Sequence, residues 1–287
     1  MTAPALTELS HLSYSSISSY LSCGAKWNYH YIQKVPALTS TNLVFGSAWH
    51  NTIEKFLEMR AVPTKNEKGE EIKPDLQTLW MEKWREETTI ESPVMDGEKV
   101  VEVKREPRKD IDWGMDTPES FCNDGIRMLN DKDIQDGILS IQPVVDQDGA
   151  RIERKLELHV PGVPIPIIGY LDIMTANGPA DFKTSSKSWS ADKAAEEIQP
   201  SFYLAALNQM GETIPGFRFT HFVFVKTKKP QFQRIESTRT VAELFWLFKM
   251  IKHVWDGISA GVYMENPGTW LCNPSYCEYW SICRGKR

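Results

Sequence analysis

Apolar positions along this chain change their period several times, and each change marks an element. Between Val44 and Arg60 the residues Phe45, Trp49, Ile53, Phe56 and Leu57 recur at helical spacing and predict one helix with a single buried stripe. Upstream, Ser13 stands before apolar Ile17, Tyr20 and Leu21, which reads as a serine-capped helix start. From 150 onward the period drops to two. Ile152, Leu156, Leu158 and Val160 share one parity with charged residues between them, so 151–160 reads as a half-buried strand. Pro161-Gly162 turns the chain into a second strand, Pro166–Thr175, and Asn177-Gly178 is a strong hairpin signal leading to a third, Ala180–Thr184. A helix follows from about Ala191 to Met210, then strands at Arg218–Lys226 and Phe232–Thr238, and a long amphipathic helix at Val241–Ile258. The order is strand-strand-strand-helix-strand-strand, flanked by helices.

The stretch 61–143 lacks this regularity. It is rich in charge and broken by Pro63, Pro74, Pro93 and Pro107, with helices expected at Leu76–Glu87 and from Thr117, with Pro118 at the first position, to about Asn130. It reads as a helical insertion or lid. The chain of 287 residues is long enough for two domains, but the pattern favours one elaborated domain over 1–287: the insertion at 61–143, a sheet core at 144–240, and a helix with a cysteine-rich tail at 241–287. The expected fold class is α+β, a mixed central sheet flanked by helices.

Composition narrows the classes. Hydrophobic residues at 41% and charged residues at 25% exclude collagen-like, low-complexity and disordered chains. No apolar run is long enough for a membrane span, and Met1–Leu6 lacks the basic and apolar regions of a secretion signal, so a cytosolic protein is expected. A net charge of −5 excludes a strongly basic nucleic-acid coat but not a local basic lining, since metal-binding carboxylates lower the net charge without repelling DNA.

The candidate chemistry sits on the hairpin. Asp181 and Lys183 are two apart on a strand and leave the same face. If Asn177-Gly178 is a two-residue loop, Asp172 opposes Lys183 and joins them on that face. An isolated D-x-K tripeptide is usually a solvated salt bridge; a second acid across a strong turn makes that reading much weaker. Two carboxylates and a lysine suit metal-assisted phosphodiester hydrolysis, in which Mg²⁺ or Mn²⁺ polarises the phosphoryl group and the ammonium orients water and offsets developing charge. Gln199 and Tyr203 are four apart on one face of the next helix, with Pro200 placing Gln199 near a local helix start. His50 lies on the Val44 helix; alone, each of these three is an ordinary packed or surface residue.

Five cysteines, an odd number, argue against a disulfide framework. Cys272, Cys277 and Cys283 cluster near the C-terminus, Cys23 follows the first helix, and Cys122 stands alone in the insertion. By spacing alone, a zinc site and a four-cysteine iron–sulfur cluster stand even, with core cysteines as a third option.

Five segments in order, Leu12-Ser13-Tyr14-Ser15-Ser16-Ile17, Gly46-Ser47-Ala48-Trp49-His50, Gly169-Tyr170-Leu171-Asp172, Asp181-Phe182-Lys183-Thr184 and Gln199-Pro200-Ser201-Phe202-Tyr203, resemble the motifs of RecB-like nucleases of the PD-(D/E)xK superfamily. The resemblance covers both ends and the 150–210 core, not 61–143. It implies a restriction-endonuclease-like core and a metal-dependent DNA exonuclease acting on single strands or ends, in recombination, repair or phage DNA processing. It also implies roles. Asp172 and Asp181 look like the acidic ligands of Mg²⁺ or Mn²⁺, with His50 and the Phe182 carbonyl as further ligands. Lys183 looks like the catalytic lysine, and Gln199 and Tyr203 like the pair that positions it and the DNA backbone. Glu54 and Glu153 are candidate supporting groups. Asp181 departs from the Glu of many relatives.

Iron–sulfur members of the family, those of CRISPR adaptation and the AddB-type recombination subunits, hold a 4Fe–4S cluster with one N-terminal and three C-terminal cysteines. Cys23, Cys272, Cys277 and Cys283 resemble that set, although four residues separate Cys272 from Cys277 where many relatives have two. Such a cluster would staple the chain ends, worth at most about 5 kcal/mol by chain entropy. Candidate DNA contacts are Lys183, Lys187, Lys193, the run Lys226-Thr227-Lys228-Lys229 and Arg284-Gly285-Lys286-Arg287, with Trp189, Trp270 and Tyr276 as stacking faces. Two other functions compete: a non-catalytic iron–sulfur DNA-binding subunit of a larger nuclease–helicase or adaptation complex, and a sequence-specific endonuclease. The insertion is a candidate site for a protein partner.

Overall fold

The structure is a computed structural model that describes residues 9–96 and 99–285. The elements in chain order are β1 (Leu12–Ser13), α1 (Tyr14–Ser22), α2 (Thr41–Ala61), α3 (Leu76–Thr88), β2 (Thr89–Asp96), β3 (Lys99–Pro107), α4 (Pro118–Leu129), α5 (Lys132–Ser140), β4 (Ile152–Leu158), β5 (Ile167–Thr175), β6 (Gly178–Ser185), α6 (Ala191–Glu196), α7 (Gln199–Gln209), β7 (Arg218–Val225), β8 (Gln231–Thr238), α8 (Val241–Ser259) and α9 (Trp280–Cys283).

Six strands form a mixed sheet in the order β1-β5-β6-β7-β8, with β4 pairing β5. β4 runs antiparallel along one edge of β5, from Ile152 opposite Ile173 to Leu158 opposite Ile167. The other edge is shared. β1 takes its beginning, with Leu12 opposite Ile167, and β6 takes its end, from Ala180 opposite Ile173 to Gly178 opposite Thr175. Beyond Ala180, β6 leaves β5 and pairs in parallel with β7 through Ser185. The two strands therefore splay around Tyr170–Asp172 on one side and Asp181–Lys183 on the other, and this gap holds the polar cluster described below.

Two apolar layers hold the sheet. In one, Phe45, Trp49 and Ile53 of α2 pack with Trp80 and Trp84 of α3 and with Phe182, Phe222 and Phe224 of the sheet. In the other, Tyr203 and Leu204 of α7 and Leu244, Leu247 and Ile251 of α8 cover Leu156, Leu171 and Phe219. The N-caps follow the sequence: Ser13, Ser40, Thr117 and Thr240 each accept a backbone N–H of the first turn, and Ser13, Thr117 and Thr240 complete capping boxes.

Three expectations are corrected. The hairpin reverses over Ala176-Asn177, not Asn177-Gly178. Thr175 Oγ accepts the Asn177 N–H and donates to the Gly178 carbonyl, and Gly178 takes φ +119°, a conformation suited to glycine, at the entry to β6. The register moves by two residues, so Asp172 comes level with Asp181 rather than Lys183, and the parity that puts them on one face survives. Second, the helix expected over 191–210 is two helices, with Glu197 extended between them. Third, the insertion is helical in α3, α4 and α5 but also carries an antiparallel hairpin, β2–β3, with a bulge between Val94 and Met95. Its described apolar residues Ile90 and Val103 are exposed and so mark no buried face for periodicity to report. No helix among the described residues is long and apolar enough to cross a membrane.

Candidate active site

At the splay between β5 and β6 the Asp172 carboxylate reaches across to the Phe182 N–H at 2.6 Å. This bond replaces the ladder that ends at Ala180. In a strand the N–H and C=O of one residue point to the same edge, so the Phe182 carbonyl faces the same gap. Asp181, buried, and Lys183 follow on β6 and form an ion pair at 2.7 Å. The Lys183 ammonium also donates to Gln199 Oε1 at 2.7 Å. Gln199 Nε2 donates to the Tyr203 hydroxyl at 2.9 Å, which donates to the Tyr170 carbonyl at 2.6 Å. The relay thus begins on β6, passes through α7 and closes on β5.

α2 supplies the opposite wall. His50 and Glu54 are one turn apart, and their ligand atoms and that of Asp172 all lie within 4.8 Å of one another. His50 Nδ1 is 3.4 Å from Asp172. The Glu54 side chain is 9% exposed, and among the described residues no hydrogen bond or ion pair reaches its carboxylate. A buried carboxylate without a partner is costly, and burial pushes Glu54 up to about 9, with Asp172, Glu153 and Asp181 adding to the rise. Burial also raises Asp172 and Asp181 to about 6 against the pull of Lys183, and lowers His50 to about 4. For Lys183, burial opposes the charge, but Asp181 and Asp172 outweigh it and the ammonium is held charged. The donor set of one neutral imidazole and hard carboxylate oxygens, one of them unpaired, fits a divalent cation such as Mg²⁺ or Mn²⁺.

The structure brings His50, Asp172, Asp181, Phe182, Lys183, Gln199 and Tyr203 together. It places Glu54, rather than Asp181, in the tight group with His50 and Asp172. The spacing of Glu54 from His50 was a visible signal, though a common one on any helix. Glu153 falls between the pairs Ile152–Ile173 and Arg154–Leu171 and takes φ +48°, rare for a non-glycine residue inside a strand. Tyr14 was not anticipated as an individual site residue. It begins α1 beside the gap, and burial first, then the charges of Glu197 and Asp181, raise its hydroxyl pKa. Nothing in its type or spacing marked it.

Cys23, Cys272, Cys277 and Cys283 line one cavity between the chain ends, far from Cys122, which is buried against Met81 in the insertion. Among the described residues no three of these sulfurs fall within 4.8 Å of one another. The ends are also stitched directly: Lys26 pairs with Glu278 at 2.9 Å, Ala25 N–H donates to the Met264 carbonyl, and Asn266 donates to the Ser22 carbonyl. Of the candidate DNA contacts, Lys187, Lys228 and Lys229 are exposed, and Trp270 and Tyr276 form an exposed edge-to-face pair. Lys226 is engaged with Asn42 and the Phe45 ring, and Lys193 lies over the Trp189 ring. Trp189 is buried, which removes it as a stacking face. Lys286 and Arg287 lie outside the described residues.

A family model of the PD-(D/E)XK nuclease superfamily matches residues 11–284. The chain belongs to this superfamily. Among solved structures it is similar to one from Eubacterium rectale described as a "putative exonuclease", with a TM-score of 0.50 at 12% identity over 92% of this chain and 87% of that one. At that identity the likeness concerns the fold. Comparison with curated proteins gives no match by sequence.

Proposed function

We propose that the protein is a metal-dependent DNA exonuclease that acts on single strands or ends. One observation carries this reading: the unpaired Glu54, His50 and Asp172 meet the Asp181–Lys183–Gln199–Tyr203 relay at one gap in the sheet. His50, Glu54, Asp172, Asp181 and the Phe182 carbonyl would hold Mg²⁺ or Mn²⁺. When bound, the ion supplies Lewis-acid polarisation of the scissile phosphate and activation of water. Lys183 presents a charged ammonium to that phosphate, orienting the attacking water and offsetting the negative charge that grows in the transition state. Gln199 fixes where the ammonium points, Tyr203 fixes Gln199, and the Tyr170 carbonyl fixes Tyr203, so little reorganisation is left to the reaction itself.

In this reading Cys23, Cys272, Cys277 and Cys283 hold a structural 4Fe–4S cluster. Their shared cavity between the chain ends supports it. The cluster fixes the chain ends; it takes no part in the chemistry. The protein serves recombination, repair or phage DNA processing, and the insertion 61–143 offers a surface for a protein partner.

The test is cleavage of end-labelled linear DNA beside closed circular DNA in Mn²⁺ by anaerobically purified protein. Degradation of the linear substrates alone supports the exonuclease reading. Equal cutting of the circle would make the protein an endonuclease, and inertness toward all substrates would leave a DNA-binding role.

A further inference from the structure

Arg239 follows β8 and is 4% exposed, and its hydrogen bonds go to Ala194, Glu197, Ser201 and Thr238 rather than to residues in the gap. Its guanidinium is spent on one feature of the fold, the break between α6 and α7. Nη2 donates to the carbonyls of Ala194, at 3.2 Å, and Glu197, at 2.7 Å. Nε donates to Ser201 Oγ at 3.2 Å, and Nη1 ties the group to its own strand through the Thr238 carbonyl at 2.9 Å. Ala194 and Glu197 lie at the C-terminal end of α6, where carbonyls lack helical partners and a cation is favoured. Ser201 lies in the first turn of α7, whose N-cap residue, Ile198, makes no side-chain cap. One buried cation therefore closes the end of one helix and holds the start of the next.

Gln199 sits inside this clamp, two residues past Glu197 and two before Ser201. A continuous helix would turn about 100° per residue through the same segment and send the Gln199 amide elsewhere. The extended Glu197 at φ −63°, ψ 128° re-aims the chain, and Gln199 Oε1 arrives 2.7 Å from the Lys183 ammonium. Pro200, which lacks an N–H, permits the break but supplies no bond to set its angle.

We propose that Arg239 is a positioning residue for the lysine of the active site: by fixing the α6–α7 break it fixes Gln199 against Lys183. The catalytic part of this inference rests on the nuclease reading; the positioning part does not.

The experiment compares full-length Arg239→Lys, Arg239→Met and Ser201→Ala, each alone and combined with Gln199→Ala. Three quantities are measured: folded fraction, single-turnover cleavage at saturating DNA, and the acylation rate of Lys183 in the metal-free protein, read by mass spectrometry. Lys183 keeps 26% of its side chain exposed, so a reagent reaches it. Arg239→Lys, folded, is expected to lower the cleavage rate by roughly 10- to 100-fold, the size of loss that a misplacement of about 1 Å produces. Ser201→Ala should shift the rate the same way by less. In the Gln199→Ala background Arg239→Lys should cost about twofold or less, because residues acting through one contact are not additive. Lys183 acylation should rise severalfold in Arg239→Lys and in Ser201→Ala. Fully additive losses, or unchanged acylation in folded variants, would overturn the proposal and leave Arg239 a purely structural clamp. If Arg239→Lys and Arg239→Met both fail to fold, Ser201→Ala alone decides by the same two readouts. A wild-type protein that cuts no DNA would refute the nuclease reading, while the acylation arm would still decide whether Arg239 positions Lys183.

Discussion

Glu54 concentrates the electrostatics of the gap. It is buried, unpaired and surrounded by acids, so it destabilises the folded chain whenever it is ionised without a cation. Glu54→Gln is therefore expected to stabilise the metal-free protein at pH 8 by roughly 1–3 kcal/mol, and to weaken Mn²⁺ binding by about tenfold. Thermal melts with and without Mn²⁺ read both effects, and their opposite signs separate a ligand from a packing residue. The same groups set the pH dependence. Glu54, Asp172 and Asp181 have folded pKa values of about 9, 6 and 6, all above the usual carboxylate range. Well above pH 7 His50 and His221 are neutral in both states: desolvation holds them at about 4 and about 3 in the folded protein, and a free imidazole titrates at about 6.5 in the unfolded chain. The folded protein then binds more protons than the unfolded chain, and stability falls as pH rises through about 9. Melting temperatures of metal-free protein between pH 7.5 and 9 should decline, and saturating Mn²⁺ should flatten the decline. At this scale the sequence was informative about Asp172, Asp181 and Lys183 because the register moved by two residues, an even shift that keeps side chains on a common face. It was silent on Tyr14, whose place beside Gln199 is purely tertiary.

At the scale of elements, the site exists because β6 changes partners. Leaving β5 after Ala180 frees the backbone of Phe182 for Asp172 and opens the edge of β5 to Tyr203. α7 must lie close on β5 for that last bond, and Gly169 allows it: a Cβ there would come within 2.4 Å of the Phe202 ring. Gly169→Ala should cost roughly 1–3 kcal/mol by overpacking and reduce cleavage more than folding, since it lifts Tyr203 from Tyr170; chemical denaturation and single-turnover rates check the two parts. Sequence pattern located β4 to β8 within a few residues because each turns apolar residues toward a core, fully buried in β7 and partly buried, as Phe232 and Ile235, in β8. It misjudged the turn, since Asn177-Gly178 favours one loop in isolation while the Thr175 hydroxyl selects another. It ran α6 into α7 although Pro200 signalled a local start, because the element that enforces the break, Arg239, lies 38 residues beyond Ser201 in the chain. The hairpin β2–β3 escaped notice because its described apolar residues, Ile90 and Val103, are exposed.

At the scale of the molecule, the N-terminal segment around Cys23 and the tail around Cys277 meet across nearly the whole chain. Gly24 marks how closely: a Cβ at that position would lie 2.9 Å from the Met264 backbone N. With the proposed cluster in place, Cys277→Ser should abolish the iron absorbance of anaerobically purified protein and lower its stability by up to about 5 kcal/mol, while Cys122→Ser, in the insertion, should leave the iron absorbance unchanged. An iron-free wild type of undiminished stability would refute the cluster.

The central claim is that the acids at the splay and Lys183 together hydrolyse phosphodiesters. It is tested most directly by hydrolysis of end-labelled single-stranded DNA in Mn²⁺ by the wild type beside Lys183→Ala, with DNA binding measured on both. The account predicts that the wild type degrades the strand and that the variant binds it but does not cut. Equal cutting by both proteins would contradict it.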